Sequence, residues 1–345
     1  MIEVEHLSKI YGSTTAIQDV DFSVAQGEIL GFLGPNGAGK TTTMRILAGY
    51  IPATTGTVRV AGFDVHEQSL AVRKRIGYLP ENPPLYPDMT VADYLQFVAS
   101  IKGVPPGDRR QRVNWAIDRC QLTEKQRVLI RKLSKGFKQR VGIAQAIVHD
   151  PPVIILDEPT VGLDPKQIIE VRKLIKSLAE DHTIILSTHI LPEVSMTCDR
   201  VTIINQGRVV ATNTPDQLMA DLTGNLSYQL EVSGDDDQIA ALTHHLQTLP
   251  PISQIETAPL PQRLNRIQMT LRSRSSEEVG HHIAMAIAAQ GINLYEMRRL
   301  RPTLEDVFLE LITSEAAPDS PESQPPPSID TTPNASPAES SGLSQ

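Results

Sequence analysis

The run Gly34-Pro35-Asn36-Gly37-Ala38-Gly39-Lys40-Thr41 carries the sharpest chemical signal in the sequence. Its spacing fits G-x-x-x-x-G-K-[ST]. Glycines in such a run let the backbone curl so that successive N–H groups face the oxygens of a phosphate. A helix starting at Lys40 adds its positive N-terminal end. Lys40 offers a point charge to β- and γ-phosphates, the Thr41 hydroxyl can ligate Mg²⁺, and Thr42 is placed to reach an α-phosphate. A second signal lies downstream in Val153-Ile154-Ile155-Leu156-Asp157-Glu158, an apolar run ending in two acids. Asp157 can hold Mg²⁺ through water. Glu158, one residue further, can act as a general base toward an attacking water.

Both signals need elements to hold them. Ile29–Leu33, bounded by glycines, reads as a buried strand ahead of the phosphate loop, and Lys40 to about Ala48 as the helix after it, stopped by Gly49. Alternating runs near Ile2–Val4 and Val20–Val24 suit strands. Aliphatic runs return at Val153–Leu156, Thr183–Leu186 and Val201–Ile204. Continuous aliphatic strands separated by helices predict an α/β fold with a parallel sheet covered on both faces. Residues 90–149 differ: they are charged and helix-periodic, with predicted helices over Val91–Ile101 and Arg109–Cys120, and form a helical insertion.

The order of these signals, joined by Leu133-Ser134-Lys135-Gly136-Phe137-Lys138-Gln139-Arg140, resembles the nucleotide-binding subunits of ATP-binding cassette (ABC) transporters. That octet is similar to the family signature LSGGQQR, with Lys135 in place of Gly and Phe137 in place of Gln. The resemblance covers residues 1–220 and implies a P-loop NTPase cassette with a helical subdomain at about 85–150. It implies that Ser134 and Gly136 contact the γ-phosphate of ATP, that Asp164 in Val161-Gly162-Leu163-Asp164-Pro165 communicates across a dimer, and that His189 in Ser187-Thr188-His189 contacts the γ-phosphate and orients Glu158. Tyr11 lies where the family stacks an aromatic on adenine, but a tyrosine of a short strand fits the same position. Ile76-Gly77-Tyr78-Leu79-Pro80-Glu81 is similar to a loop that ends in glutamine in the family. Glu81 stands there instead, as a catalytic and Mg²⁺-binding candidate. A carboxylate offers only acceptors and adds negative charge, and Asn82 is the alternative amide.

One phosphate loop and one signature imply a homodimer or heterodimer in which each signature closes over the other subunit's ATP. The chain of 345 residues holds no apolar run long enough to span a membrane. The resemblance therefore implies an integral-membrane permease as partner and a cytoplasmic subunit peripheral to the inner face of the membrane. Leu85, Tyr86 and Leu95 are the candidate permease contacts. Net charge is −8, but five of the 40 acids lie in residues 314–345, which have no Lys or Arg, so the rest is close to balanced against 32 bases. No bulk nucleic-acid-binding charge is present, and no nucleic-acid partner is expected. Two cysteines, Cys120 and Cys198, cannot build a disulfide framework or a zinc cluster.

Residues 225–313 read as a smaller α+β domain. The order strand, helix, strand, strand, helix, strand fits a ferredoxin-like unit, with strands at 226–232, 252–256, 264–271 and 292–299 and helices at 238–248, 276–290 and 303–313. Its ending, Arg301-Pro302-Thr303-Leu304-Glu305-Asp306-Val307-Phe308-Leu309-Glu310-Leu311, is similar to that of exporter ATPases of the drug, polysaccharide and gliding-motility branches. Residues 314–345, rich in Pro and Ser, read as a disordered acidic tail. Two readings compete with an export ATPase: an ABC ATPase acting on ribosomes or DNA, and a non-catalytic nucleotide sensor. The first normally has two cassettes or a coiled-coil insertion. Glu158 and His189 argue against the second.

Overall fold

The protein is described from a computed structural model over residues 1–222, 227–248, 252–260, 266–273 and 279–300, together with Glu305 and Phe308. The chain opens with β1 (Ile2–Tyr11), β2 (Thr14–Val24) and β3 (Ile29–Leu33), then α1 (Lys40–Leu47), β4 (Thr55–Val60), β5 (Phe63–Asp64), α2 (Ser69–Arg75) and β6 (Ile76–Leu79). Three helices follow, α3 (Val91–Ile101), α4 (Arg109–Arg119) and α5 (Lys135–Ile147). Next come β7 (Val153–Asp157), α6 (Pro165–Leu178), β8 (Thr183–Thr188), α7 (Leu191–Thr197), β9 (Arg200–Asn205), β10 (Arg208–Asn213) and α8 (Pro215–Leu222).

The central sheet runs β10-β9-β3-β8-β7-β6, parallel except for β10 at one edge. The apolar runs of β3, β6, β7, β8 and β9 are continuous because these strands bury both faces. Val153 and Ile155 enter one apolar cluster with Leu30, Phe32 and Ile185, while Ile154 and Leu156 enter another with Ile29, Leu33 and Leu186. Strand alternation thus feeds two cores at once. The first core is closed by an antiparallel sheet of order β2-β1-β4-β5. The second is closed by the helices, chiefly α3, α4 and α5. The Thr90 side chain caps α3 by accepting from Asp93 N, which is why the helix starts at Val91.

Phe32 is fully buried at the centre of β3, with the Phe22 ring 5.3 Å away. Its replacement by Ala would leave a void in the apolar cluster that also holds Phe22, Ala38 and Met44. Phe32→Ala is expected to destabilise the fold by about 3–5 kcal/mol. A lowered urea midpoint with unchanged slope would report it.

A further sheet is built from β11 (Ser227–Ser233), β12 (Ile252–Pro259), β13 (Ile267–Ser273) and β14 (Asn293–Leu300), with α9 (Asp236–Thr248) after β11 and α10 (Gly280–Ala289) after β13. Its order is β12-β13-β11-β14, all antiparallel, as the ferredoxin-like reading requires. Leu230, Val232, Met269 and Leu271 face Leu242, Leu246, Ile283 and Ile287 of the two helices in a core of their own. His281 and His282 are exposed and stacked, and His244 and His245 are exposed, as surface histidines. The predicted helix over 303–313 lies outside the described residues apart from Glu305 and Phe308, and the tail at 314–345 lies wholly outside them.

Candidate active site

Four neighbouring parallel strands, in the order β3, β8, β7, β6, end at one rim of the central sheet. The phosphate loop follows β3, His189 follows β8, Asp157 and Glu158 close β7, and Glu81 lies two residues after β6. Ligand sites of α/β sheets form at such carboxyl ends. Here the sheet order brings together side chains that are more than a hundred residues apart in sequence.

The loop wraps a cavity of ≈ 460 Å³ lined by Asn36, Gly37, Gly39, Lys40, Thr41, Thr42, Glu81, Glu158 and His189, with Ala16 and Val161 at its margin. Gly39 caps α1 with φ of 104°, a conformation that L side chains rarely adopt. A Cβ there would also meet Ile17 Cγ2 at 2.5 Å. The Lys40 side chain is buried and folds back along the loop. Its ammonium donates to Gly34 O at 2.8 Å and Pro35 O at 3.2 Å, and lies 3.4 Å from Glu158 Oε1. Pro35 and Ala38 belong to the loop without lining the cavity; Ala38 is buried beneath it.

Glu158 is held from three sides. Its backbone is in the left-handed region, φ 51°, which is costly for a residue with a Cβ and marks a constrained position. Its N–H donates to Ser187 O at 2.9 Å, tying the end of β7 to β8. Its carboxylate lies 3.0 and 2.9 Å from His189 Nδ1. Glu158, His189 and Lys40 therefore form one connected group inside the cavity.

Asp157 is fully buried, and among the described residues neither carboxylate oxygen has a hydrogen-bond partner. Burial is the main cause that raises its pKa. The Ser187 and Thr41 hydroxyls act in the lowering direction, and the charges of Glu158 and Glu81 in the raising one. An orphaned buried carboxylate beside a threonine hydroxyl suits a hard divalent cation, whose oxygen ligands these are. The site fits Mg²⁺.

Of the two candidates on the loop after β6, Glu81 lines the cavity and Asn82 does not. Tyr11 lies at the end of β1, half-exposed, with the Lys9 ammonium 5.1 Å from its ring centre, outside the cavity lining.

Ser134, Gly136 and Asp164 do not line this cavity. Ser134 caps α5, its hydroxyl accepting from Phe137 N at 3.5 Å. Asp164 caps α6, accepting from Gln167 N at 2.9 Å. Gln167 lies so close over Gly136 that a Cβ there would meet it at 2.6 Å. The Lys135 ammonium packs over Gly162. The start of the signature helix and the loop 161–165 therefore form one continuous surface.

Residues 17–161 match the sequence family described as "ABC transporter". The linearmycin resistance ATP-binding protein LnrL of Bacillus subtilis is 32% identical over 312 residues, which cover 90% of this chain and 98% of that protein. The chain belongs to the ATP-binding subunits of ABC transporters. The Nod factor export ATP-binding protein I of Paraburkholderia xenovorans is 34% identical over 313 residues, 90% of this chain and 96% of its own. A solved ATP-binding subunit of an ABC transporter superposes with a TM-score of 0.59 at 31% identity, over 64% of this chain and 93% of that one. The ABC subunit described here is accordingly an ATPase of the exporter-type branch, powering transport by ATP hydrolysis. The α/β cassette expected from its sequence is the fold observed. Among the described residues no helix is long and apolar enough to cross a membrane.

Proposed function

We propose that this subunit drives export through a separate integral-membrane permease, from the cytoplasmic face of the membrane, by closing and reopening a cassette dimer around ATP. The observation that carries the reading is the connected group Lys40–Glu158–His189 inside the phosphate-loop cavity. Backbone N–H groups of residues 34–41 and the start of α1 cradle the phosphates. Lys40 swings from its loop carbonyls toward the β- and γ-phosphates. Thr41 and Asp157, with Glu81 beside them, are the residues that would hold Mg²⁺. When bound, the cation neutralises charge on the phosphate oxygens. Glu158 takes the proton from the attacking water, and His189 fixes the orientation of its carboxylate.

Ser134, Gly136 and Asp164 complete the site of a second cassette, identical or paired. That they do not line the cavity of their own chain supports that role. ATP favours the closed pair because its γ-phosphate adds contacts that ADP lacks, and only such differential binding shifts a population. Export as the direction is supported by the relatives named for antibiotic resistance and Nod factor export. We assign residues 1–220 to the cassette, 225–313 to an accessory domain and 314–345 to a tail.

A second groove, of ≈ 400 Å³, supports permease docking. It is lined by Tyr50, Tyr86, Phe97 and Ile101, all exposed, between α1, the loop after β6 and α3. Tyr86 is exposed in this groove, which supports its reading as a contact. Leu95 is not: it is fully buried, because the i, i+4 spacing Val91, Leu95, Ala99 turns it into the core while Phe97 and Ile101 face the groove. Leu85 is half-buried against the same core. Tyr86→Ala is expected to release the subunit from permease-containing membranes while the purified chain keeps its ATPase activity. Unchanged membrane recruitment would remove the groove from the account.

A further inference from the structure

Glu193 is a buried acid to which the hydrolysis described above gives no part. It sits on α7 and is only 1% exposed. Its Oε2 accepts two hydrogen bonds, from Thr160 Oγ1 at 2.7 Å and from Thr188 Oγ1 at 3.1 Å. Thr188 Oγ1 in turn accepts from Ile190 N at 3.1 Å. Both threonines are themselves buried, at 2% and 0% exposure.

The positions of these partners are what matter. Thr188 and Ile190 flank His189 on either side, and Thr160 lies two residues beyond Glu158, at the entry to the loop 161–165. One carboxylate oxygen therefore ties the backbone on both sides of the histidine to the chain that leaves the general base. Glu193 Oε1 is buried and has no hydrogen-bond partner among the described residues. A buried carboxylate with an unsatisfied oxygen costs stability, and an apolar residue of similar volume is often better for the fold. Packing does not explain the acid; the two loops it joins do.

We propose that Glu193 is a positioning residue for ATP hydrolysis, holding residues 188–190 against residues 158–160 so that His189 Nδ1 stays within 3.0 Å of the Glu158 carboxylate. This rests on the reading that Glu158 and His189 act on the attacking water. Because Thr160 opens the loop that carries Asp164, the same tie makes the histidine and the dimer-facing loop move together.

The test uses the purified full-length chain, with steady-state ATPase kinetics beside equilibrium binding of a fluorescent ATP analogue. Glu193→Ala is expected to lower kcat by about tenfold or more, the scale of a small misplacement of catalytic groups. Analogue binding stays unchanged, because Lys40 and the phosphate loop sit on other elements. Glu193→Gln, whose amide oxygen still accepts from a threonine, recovers part of the loss. Adding Glu193→Ala to His189→Ala slows turnover no further, since both act through one contact. Unchanged kcat in Glu193→Ala, an equal loss of binding and turnover, or additive effects with His189→Ala would each overturn the proposal. If Glu193→Ala does not fold, the isosteric Thr160→Val decides: slowed turnover with intact binding supports the tie, and normal turnover ends it. Full activity of Glu158→Gln would instead remove the underlying reading and leave the two failures distinguishable.

Discussion

Glu158→Gln keeps ATP binding and lowers turnover by about 10²–10⁴-fold, the range for loss of a general base. The substitution is isosteric, so the left-handed turn at φ 51° and the bond to Ser187 O are retained. An amide oxygen still faces His189 Nδ1, and the phosphate loop is untouched. What disappears is the carboxylate proposed to take the water's proton. Phosphate release read beside nucleotide binding checks the result. A variant that turns over at the parental rate would show that the base is elsewhere.

Lys40→Ala fails earlier, at binding. Lys40 is 6% exposed, and its ammonium lies 2.8 Å from Gly34 O and 3.4 Å from Glu158 Oε1. Its ammonium sits on the phosphate loop itself, and its loss leaves the Glu158 carboxylate facing the phosphates without that counter-charge. Removing one partner of a buried charge contact costs about 2–5 kcal/mol. ATP affinity is thus expected to fall by a factor of about 30 or more. Titration with a fluorescent ATP analogue measures it, and an affinity within a few-fold of the parent would contradict the role. The two variants separate binding from chemistry: one loses the ligand, the other holds it without hydrolysis.

The parts of this design most legible in the sequence are those whose chemistry is local. Gly34 to Thr41 declare themselves because a phosphate cradle needs its glycines, lysine and hydroxyl at fixed spacing. Val91–Ile101 is the helix read from its period. Strands β3, β7, β8 and β9 are legible because burial on both faces fills their middles with aliphatic residues. The antiparallel layer β4–β5 is not: Thr55–Val60 carries glycine and polar residues and buries only Val58 and Val60. Nor does β1 read beyond Val4, because its register against β2 shifts at several points and breaks the alternation.

Among site residues, Glu81 and Asn82 are adjacent polar residues, and only the turn after β6 distinguishes them. Glu193 was invisible for a different reason. An acid in a helix reads as solvated, and only its helical neighbourhood with Val194 and Thr197, both buried, hints otherwise. Its partners, Thr160 and Thr188, become neighbours through the pairing of β7 with β8.

The central claim, that ATP closes two of these subunits around their nucleotides and hydrolysis reopens them, is tested most directly by the molar mass of Glu158→Gln. Light scattering on the purified full-length variant, with ATP, with ADP and with neither, gives the answer in one series. The account predicts a dimer with ATP and monomers in the other two conditions. A monomer at saturating ATP, with binding of the nucleotide verified, would contradict it.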